Sequence, residues 1–440
     1  MNSPGWIFLD KDQVDDFHRT IVDAEGEDTV DQLGFNLLTN EISERLFPWC
    51  STLTTRARYF PCSAAILDLA IDRIAVTKPK KATGDALGRA YLSEQSAAYQ
   101  KEIMRLERLL AVSLYAFYAD RSGNGIFGSR NLDKIKERQL RTVLSKRLLS
   151  LPGRYPNAIY RGGLHKLRLF SKTRMSNTLV VQLSLNGGCA FTPDWQHGTS
   201  RAKAEIERLD EFWSDKRPYE RPFLKRCEVF RESAVGKAFH GFKLHDEERE
   251  LLRREILMTS PFLKPLSRQP KKFLPANSEL KLVELARELG GDFAHLVANA
   301  GLVNDLISPF RQMYSMIAIR QETELKKTKF DFVTIRRAHK ELQKADTFFE
   351  LPAVVNATTP WVAELVSRNG YPNENVIQHL KQRATDIVTA RRKVPPHLID
   401  PDKRKSRGGI ADELDVFDSS FRLHYASRIL QDVFGDGNAS

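Results

Sequence analysis

The chain has 440 residues, with 68 lysines and arginines against 56 acids, a formal net charge of +12 and 41% hydrophobic residues. That length suffices for two or three domains with cores of their own, and the composition is that of a globular protein in water. No run approaches the roughly 18 apolar residues that a membrane-spanning helix needs, and the first residues lack the basic-then-apolar order of a secretory signal. Four cysteines (Cys50, Cys62, Cys189, Cys227) lie far apart with no C-x-x-C pair, which fits a reducing cytoplasm and argues against a disulfide framework or a zinc ribbon.

The charge is unevenly spread. Residues 1–50 carry three bases and eleven acids, a net of −8, so the remaining 390 residues carry +20. Such an acidic head is expected to pack against the chain's own basic body or a neighbouring subunit. An acidic helix is expected over residues 12–24 and a longer helical stretch from about Leu33. The block Thr55-Arg56-Ala57-Arg58-Tyr59-Phe60 has two readings: a phosphate or ligand clamp, or a helix start whose arginines pair with acids of the head. Apolar spacing predicts helices over 64–74 and 93–118.

Residues 128–174 hold thirteen lysines and arginines against Asp133 and Glu137. Like charges packed within a Debye length of roughly 8–10 Å repel, so a structured surface this basic calls for an anionic partner, of which nucleic acid is the commonest. The spacing predicts a helix from Asp133 to about Ser150, a stop at Pro152-Gly153, and a second helix from Asn157 to about Phe170. Leu179, Val181, Leu183 and Leu185 then alternate up to Asn186-Gly187-Gly188, which reads as a strand entering a hairpin turn. Helix, turn, helix, hairpin is the winged-helix order, in which the second helix enters the major groove of duplex DNA. The residues expected at that interface are Arg141, Lys146, Arg147, Arg154, Tyr160, Arg161, His165, Lys166, Arg168, Lys172 and Arg174. The other reading is an ordinary basic helical hairpin that meets solvent or an acidic partner protein. Gly162-Gly163 counts against the second helix of the winged-helix reading, at about 1 kcal/mol of helix propensity each.

Further helices are expected over 200–214, 246–258, 278–327 (in two parts, separated near Gly290-Gly291 and Pro309), 332–349, 361–392 and 419–434. A basic loop over 391–409 adds Arg404, Lys405 and Arg407 to the candidate phosphate contacts. The expected architecture is therefore mainly α: a helical N-terminal domain (1–127), a basic winged-helix-like module with a β-hairpin (128–198) and a helical C-terminal domain (199–440).

Catalytic signatures are sparse. His240, His245 and Glu248 read either as metal ligands or as ordinary capping chemistry at a helix start, and the second is the simpler. Glu279-Leu280-Lys281 and Glu324-Leu325-Lys326 have the letters of a nuclease site but fall in helical patterns. There is no phosphate-binding Gly-rich loop, nucleophile elbow or HExxH. No cofactor and no metal are expected.

The segments Gly5-Trp6-Ile7-Phe8-Leu9-Asp10, Leu46-Phe47-Pro48 and Ser51-Thr52-Leu53-Thr54 through Phe60 resemble the opening of a bacterial and archaeal family of unknown function. Weaker likeness continues through Gly125–Gly128 and Ile159–Leu164, while the family's tryptophan-rich second helix is replaced here by Tyr160-Arg161. The resemblance implies a component of an anti-phage defence locus, beside a helicase, ATPase, nuclease or methyltransferase, and carries no catalytic residues. Together these readings lead to the expectation of a non-enzymatic subunit that binds nucleic acid, double-stranded DNA above all. The alternatives are a scaffold for an acidic partner protein and an unrecognised nuclease.

Overall fold

The computed structural model describes residues 33–74, 85–118, 156–214, 223–264, 290–344, 370–390 and 423–435, apart from 52, 53, 55, 173, 174, 187 and 319, with isolated positions between these stretches. The acidic head to residue 32, the first basic helix expected at 133–150 and, apart from Leu398, the basic loop expected at 391–409 lie outside the described residues. The described chain is mainly helical, and its β structure is a single antiparallel bridge between Phe170 and Phe191.

Two compact units are formed. In the first, helices α1 (Tyr59–Arg73), α2 (Asp85–Phe117), α3 (Pro156–Lys166), α4 (Asn177–Leu185), α5 (Pro193–Gly198), α6 (Ser200–Ser214), α7 (Phe223–Glu232), α8 (Ala234–Ala238) and α9 (Asp246–Thr259) join α10 (Leu423–Phe434) from much later in the chain. The described part of the expected basic module, residues 156–198, belongs to this unit.

Helix α1 is the hub, with every residue from Tyr59 to Leu67 buried, and α2, α3 and α6 pack around it. Helix α2 turns Tyr99, Ile103, Leu106, Leu110 and Leu114 inward at helical spacing. Two of its core side chains are bonded across elements: the Trp213 indole N–H donates to Ser113 Oγ at 2.8 Å and the Tyr99 hydroxyl to the Leu67 carbonyl at 3.0 Å.

The second unit comprises α11 (Asn36–Leu46), α12 (Gly291–Ala318), α13 (Glu322–Lys327), α14 (Phe332–Lys344) and α15 (Glu374–Ala390). Its centre is α12, against which α11, α14 and α15 pack, and the rings of Phe35, Phe310 and Trp361 meet at 4.9–6.4 Å. Pro309 does not divide α12 as its sequence suggests. Ile307 and Phe310 are buried on either side of it, and their packing outweighs the hydrogen bond the ring removes.

The expected strand over Leu179–Leu185 is corrected to a helix. The Ser176 side chain accepts from the Leu179 N–H at 3.2 Å and caps α4, while Val180 and Val181, adjacent in sequence, are both buried. A strand would put those two side chains on opposite faces. The Asn186–Gly188 turn closes this helix, with the Gly188 N–H bonded to the Leu183 carbonyl at 2.9 Å, and makes no hairpin. The described residues therefore contain no wing.

Candidate nucleic-acid interface

Six of the residues expected to face nucleic acid are described, and the fold separates them into two groups. Tyr160 is fully buried, its ring 4.7 Å from Phe60 and 5.4 Å from Tyr59. Its hydroxyl accepts from the Arg56 N–H at 3.1 Å and donates to the Arg56 carbonyl at 2.9 Å. Arg161 donates to Asn177 Oδ1 at 2.6 Å and to the Met175 carbonyl at 2.7 Å, and burial lowers its pKa. The His165 ring lies 4.4 Å from that of Phe170, tilted against it, and burial, reinforced by the Arg161 charge, pushes its pKa down to about 4, so it is neutral near pH 7. Helix α3 thus turns one face, with Tyr160, Gly163 and Leu164, into the core, and leaves Gly162 and Lys166 exposed on the other. The apolar stripe Tyr160, Leu164 and Leu167 is paired with a glycine, Gly163, that brings α3 against the Trp49 backbone, and such a face buries before it can reach a ligand.

Arg168 is half exposed, but both its Nε and Nη2 donate to Glu255 Oε2, at 2.9 and 2.8 Å, so an internal carboxylate already neutralises it. Lys166 and Lys172 are exposed and carry no ion pair among the described residues. Arg141, Lys146, Arg147, Arg154, Arg174, Arg404, Lys405 and Arg407 lie outside the described residues.

The arginines of the Thr55–Phe60 block are structural, and their acids come from distant helices of the same unit. Arg56 donates from Nε and Nη2 to the two oxygens of Asp432, each at 3.0 Å, and lies 4.6 Å over the Phe242 ring. Arg58, buried, bridges Glu205 at 2.5 Å and Glu248 at 3.0 Å and also donates to the Lys243 carbonyl. Around this pair, the His240 N–H donates to Glu205 at 2.8 Å, the His245 N–H donates to Glu248 at 2.9 Å, and the two imidazoles lie 3.9 Å apart. Burial pushes the Glu248 carboxyl up to about 7 against the pull of Arg58, and desolvation holds His245 down at about 3. Glu248 thus serves α9 as the returning half of a capping box. Among the described residues no group of three His, Cys, Asp or Glu is arranged to hold a metal ion.

A second ionic cluster joins α1, α2 and α6. Asp210 receives Arg105 at 2.6 and 2.8 Å, Arg73 and the Ser214 hydroxyl. Burial opposes its ionisation, but the Arg105 hydrogen bonds and charge outweigh it and bring its pKa down to about 2.

The sequence reading passed over one exposed basic surface: Arg336, Arg337, Lys340 and Lys344 on α14. Its signal is a base at every fourth position, 336, 340 and 344, in a helix whose other face is apolar. No described helix is long and apolar enough to cross a membrane. No protein-family model matches the chain, and neither a curated protein nor a solved structure is similar to it.

Proposed function

We propose that the chain is a non-enzymatic nucleic-acid-binding subunit of a multiprotein anti-phage system, with double-stranded DNA as the favoured ligand. The observation that carries this reading is the pair Lys166 and Lys172, exposed and without an ion pair among the described residues, in a chain of net charge +12. They flank Arg168, whose charge is met internally by Glu255. Cations that the fold does not neutralise are available to phosphate. The contact in this reading is to the backbone, by one lysine at the end of α3 and one beyond it, since Tyr160 and Arg161 are taken up by the core. The assignment to defence, with a helicase, ATPase or nuclease supplying the chemistry, rests on the resemblance of the N-terminal block alone.

The test is duplex binding over a salt series. Lys166→Ala/Lys172→Ala should weaken binding evenly across sequences and reduce the log–log salt slope by up to about 1.8, at about 0.9 per phosphate contact. A parent chain that binds no duplex at low salt removes the reading. The runner-up, a scaffold for an acidic protein, is favoured by the Arg168–Glu255 bridge, which shows a cation of this segment satisfied by a protein carboxylate.

A further inference from the structure

Helix α14 begins at an Asp331 cap, whose carboxylate accepts from the Val333 and Thr334 N–H groups at 3.1 and 3.0 Å and from the Thr334 hydroxyl at 2.7 Å. Phe332, Ile335, Ala338, His339 and Leu342 face the core of the second unit and fix the rotation of the helix. At about 100° per residue, Arg336, Arg337, Lys340 and Lys344 then share an arc of about 100° on the solvent side. All four are exposed. Arg336, Lys340 and Lys344 rise along it in steps of about 6 Å, four residues at about 1.5 Å each.

The pairing pattern sets this arc apart from three lysines of the same unit. Lys326 meets Glu374 at 2.6 Å, Lys327 meets Glu324 at 3.0 Å, and Lys381 meets Glu322 at 2.8 Å. On α14, Arg336, Lys340 and Lys344 have no ion pair among the described residues, and Arg337 reaches Asp305 only at 3.8 Å with both side chains largely in solvent. Val333, 72% exposed, lies within the same arc one turn before Arg336. Helical cations one turn apart repel, and i, i+4 like-charge pairs cost roughly 0.2–0.5 kcal/mol each. The sequence keeps two such pairs where a single acid substitution would relieve them.

Resting on the nucleic-acid reading above, we infer that the α14 arc is a second phosphate-tracking surface, which takes the backbone of duplex nucleic acid. A nucleic-acid strand offers a negative charge at every phosphate in a continuous line, and a straight row of evenly spaced cations meets such a line without matching individual side chains. The Val333 methyls stand where a helix laid along a groove touches sugar or the thymine methyl, a contact that adds apolar area without requiring a hydrogen bond.

The experiment uses the full chain and a fluorescein-labelled mixed-sequence DNA duplex of about 20 base pairs, a length near two helical turns, titrated across salt. Arg336→Gln/Lys340→Gln/Lys344→Gln should lower the salt slope by about 2.7, three contacts at about 0.9 each, and weaken binding by at least about tenfold at low salt. Charge reversal to Glu at the same positions should abolish the contribution of this face, and circular dichroism melting checks that both variants fold. Lys326→Gln/Lys327→Gln on the same unit should leave the slope nearly unchanged. If the α14 variants bind like the parent while Lys166→Ala/Lys172→Ala weakens binding, the inference is overturned and the proposed function stands. If the parent binds polyglutamate or phosphatidylserine vesicles through this arc and does not bind the duplex, both are overturned.

Discussion

Gly163 lies so close to Trp49 that the Trp49 carbonyl oxygen occupies the place where any side chain at 163 would begin, with Phe60 Cε1 at 2.7 Å from the same point. Its neighbour Gly162 has nothing within 4 Å. Two adjacent glycines of one helix should therefore respond in opposite directions. Gly163→Ala pushes against backbone and is expected to cost about 3 kcal/mol, the upper end of overpacking. Gly162→Ala should add up to about 1 kcal/mol through helix propensity. Thermal melts of the two variants decide the matter, and equal shifts would contradict this packing.

Tyr160→Phe separates a core tyrosine from a DNA-reading one. Loss of the hydroxyl strands the Arg56 N–H and carbonyl, so stability should fall by about 1–3 kcal/mol in denaturant titrations. Duplex affinity of the folded variant should stay within about twofold of the parent, well under the roughly 1.4 kcal/mol that a tenfold loss represents. A marked affinity loss with unchanged stability would return Tyr160 to the interface.

The Glu248–His245 neighbourhood gives the first unit a two-sided pH response. The folded pKa of Glu248 is raised, so its contribution is fully present below the usual carboxylate value and is lost as pH climbs through about 7. That of His245 is depressed to about 3, so its contribution is present above the usual imidazole value and is lost as pH falls toward 3. The groups facing Glu248 are Arg58, Glu205, Glu247 and the His245 N–H, and of these only Arg58 is cationic. Glu248→Gln removes the alkaline arm alone. Whatever its stability at pH 5, the variant should gain on the parent as pH rises to 8, by at most about 3 kcal/mol. A pH-independent difference between the two would refute the raised carboxyl.

Asp432→Ala should cost the first unit about 3 kcal/mol, because it leaves Arg56 and the Ala57 N–H, which donates to Asp432 at 2.9 Å, without their acceptor. Arg56→Ala in the same background should add little. A double-mutant cycle with a coupling energy near zero would show that the two residues act independently.

The helices that show strong 3.6-residue periodicity, Ser200–Ser214 and Asp246–Thr259, were legible in the sequence almost to the residue. The Leu179–Leu185 segment was not, because alternate leucines imitate a strand while the deciding signals, a Ser176 cap and adjacent buried valines, are local to the helix. The Gly162-Gly163 pair looked like an objection to α3 and is partly a requirement of its packing. Charge was the most misleading guide. A count of bases cannot distinguish Arg168, held by Glu255, from Lys166, which is held by nothing described, since the neutralising acid lies 87 residues away. The α14 arc is sparser than residues 128–174 and so stands out only when bases such as Lys326 are seen to be paired while three of its own four are not, among the described residues.

Helix α10 belongs to the first unit although the second unit's helices α12 to α15 are encoded before it. Asp432 is 376 residues from Arg56, and the Arg253 guanidinium waits in the same way for the Val433 carbonyl, 180 residues on, which it reaches at 2.8 Å. During synthesis at roughly 5–20 residues per second, the hub helix and its arginines therefore leave the ribosome tens of seconds before their last partners exist. Through that interval the surface that will receive α10 is open, and the order of manufacture, rather than the finished contacts, sets when the first unit becomes safe from misassembly.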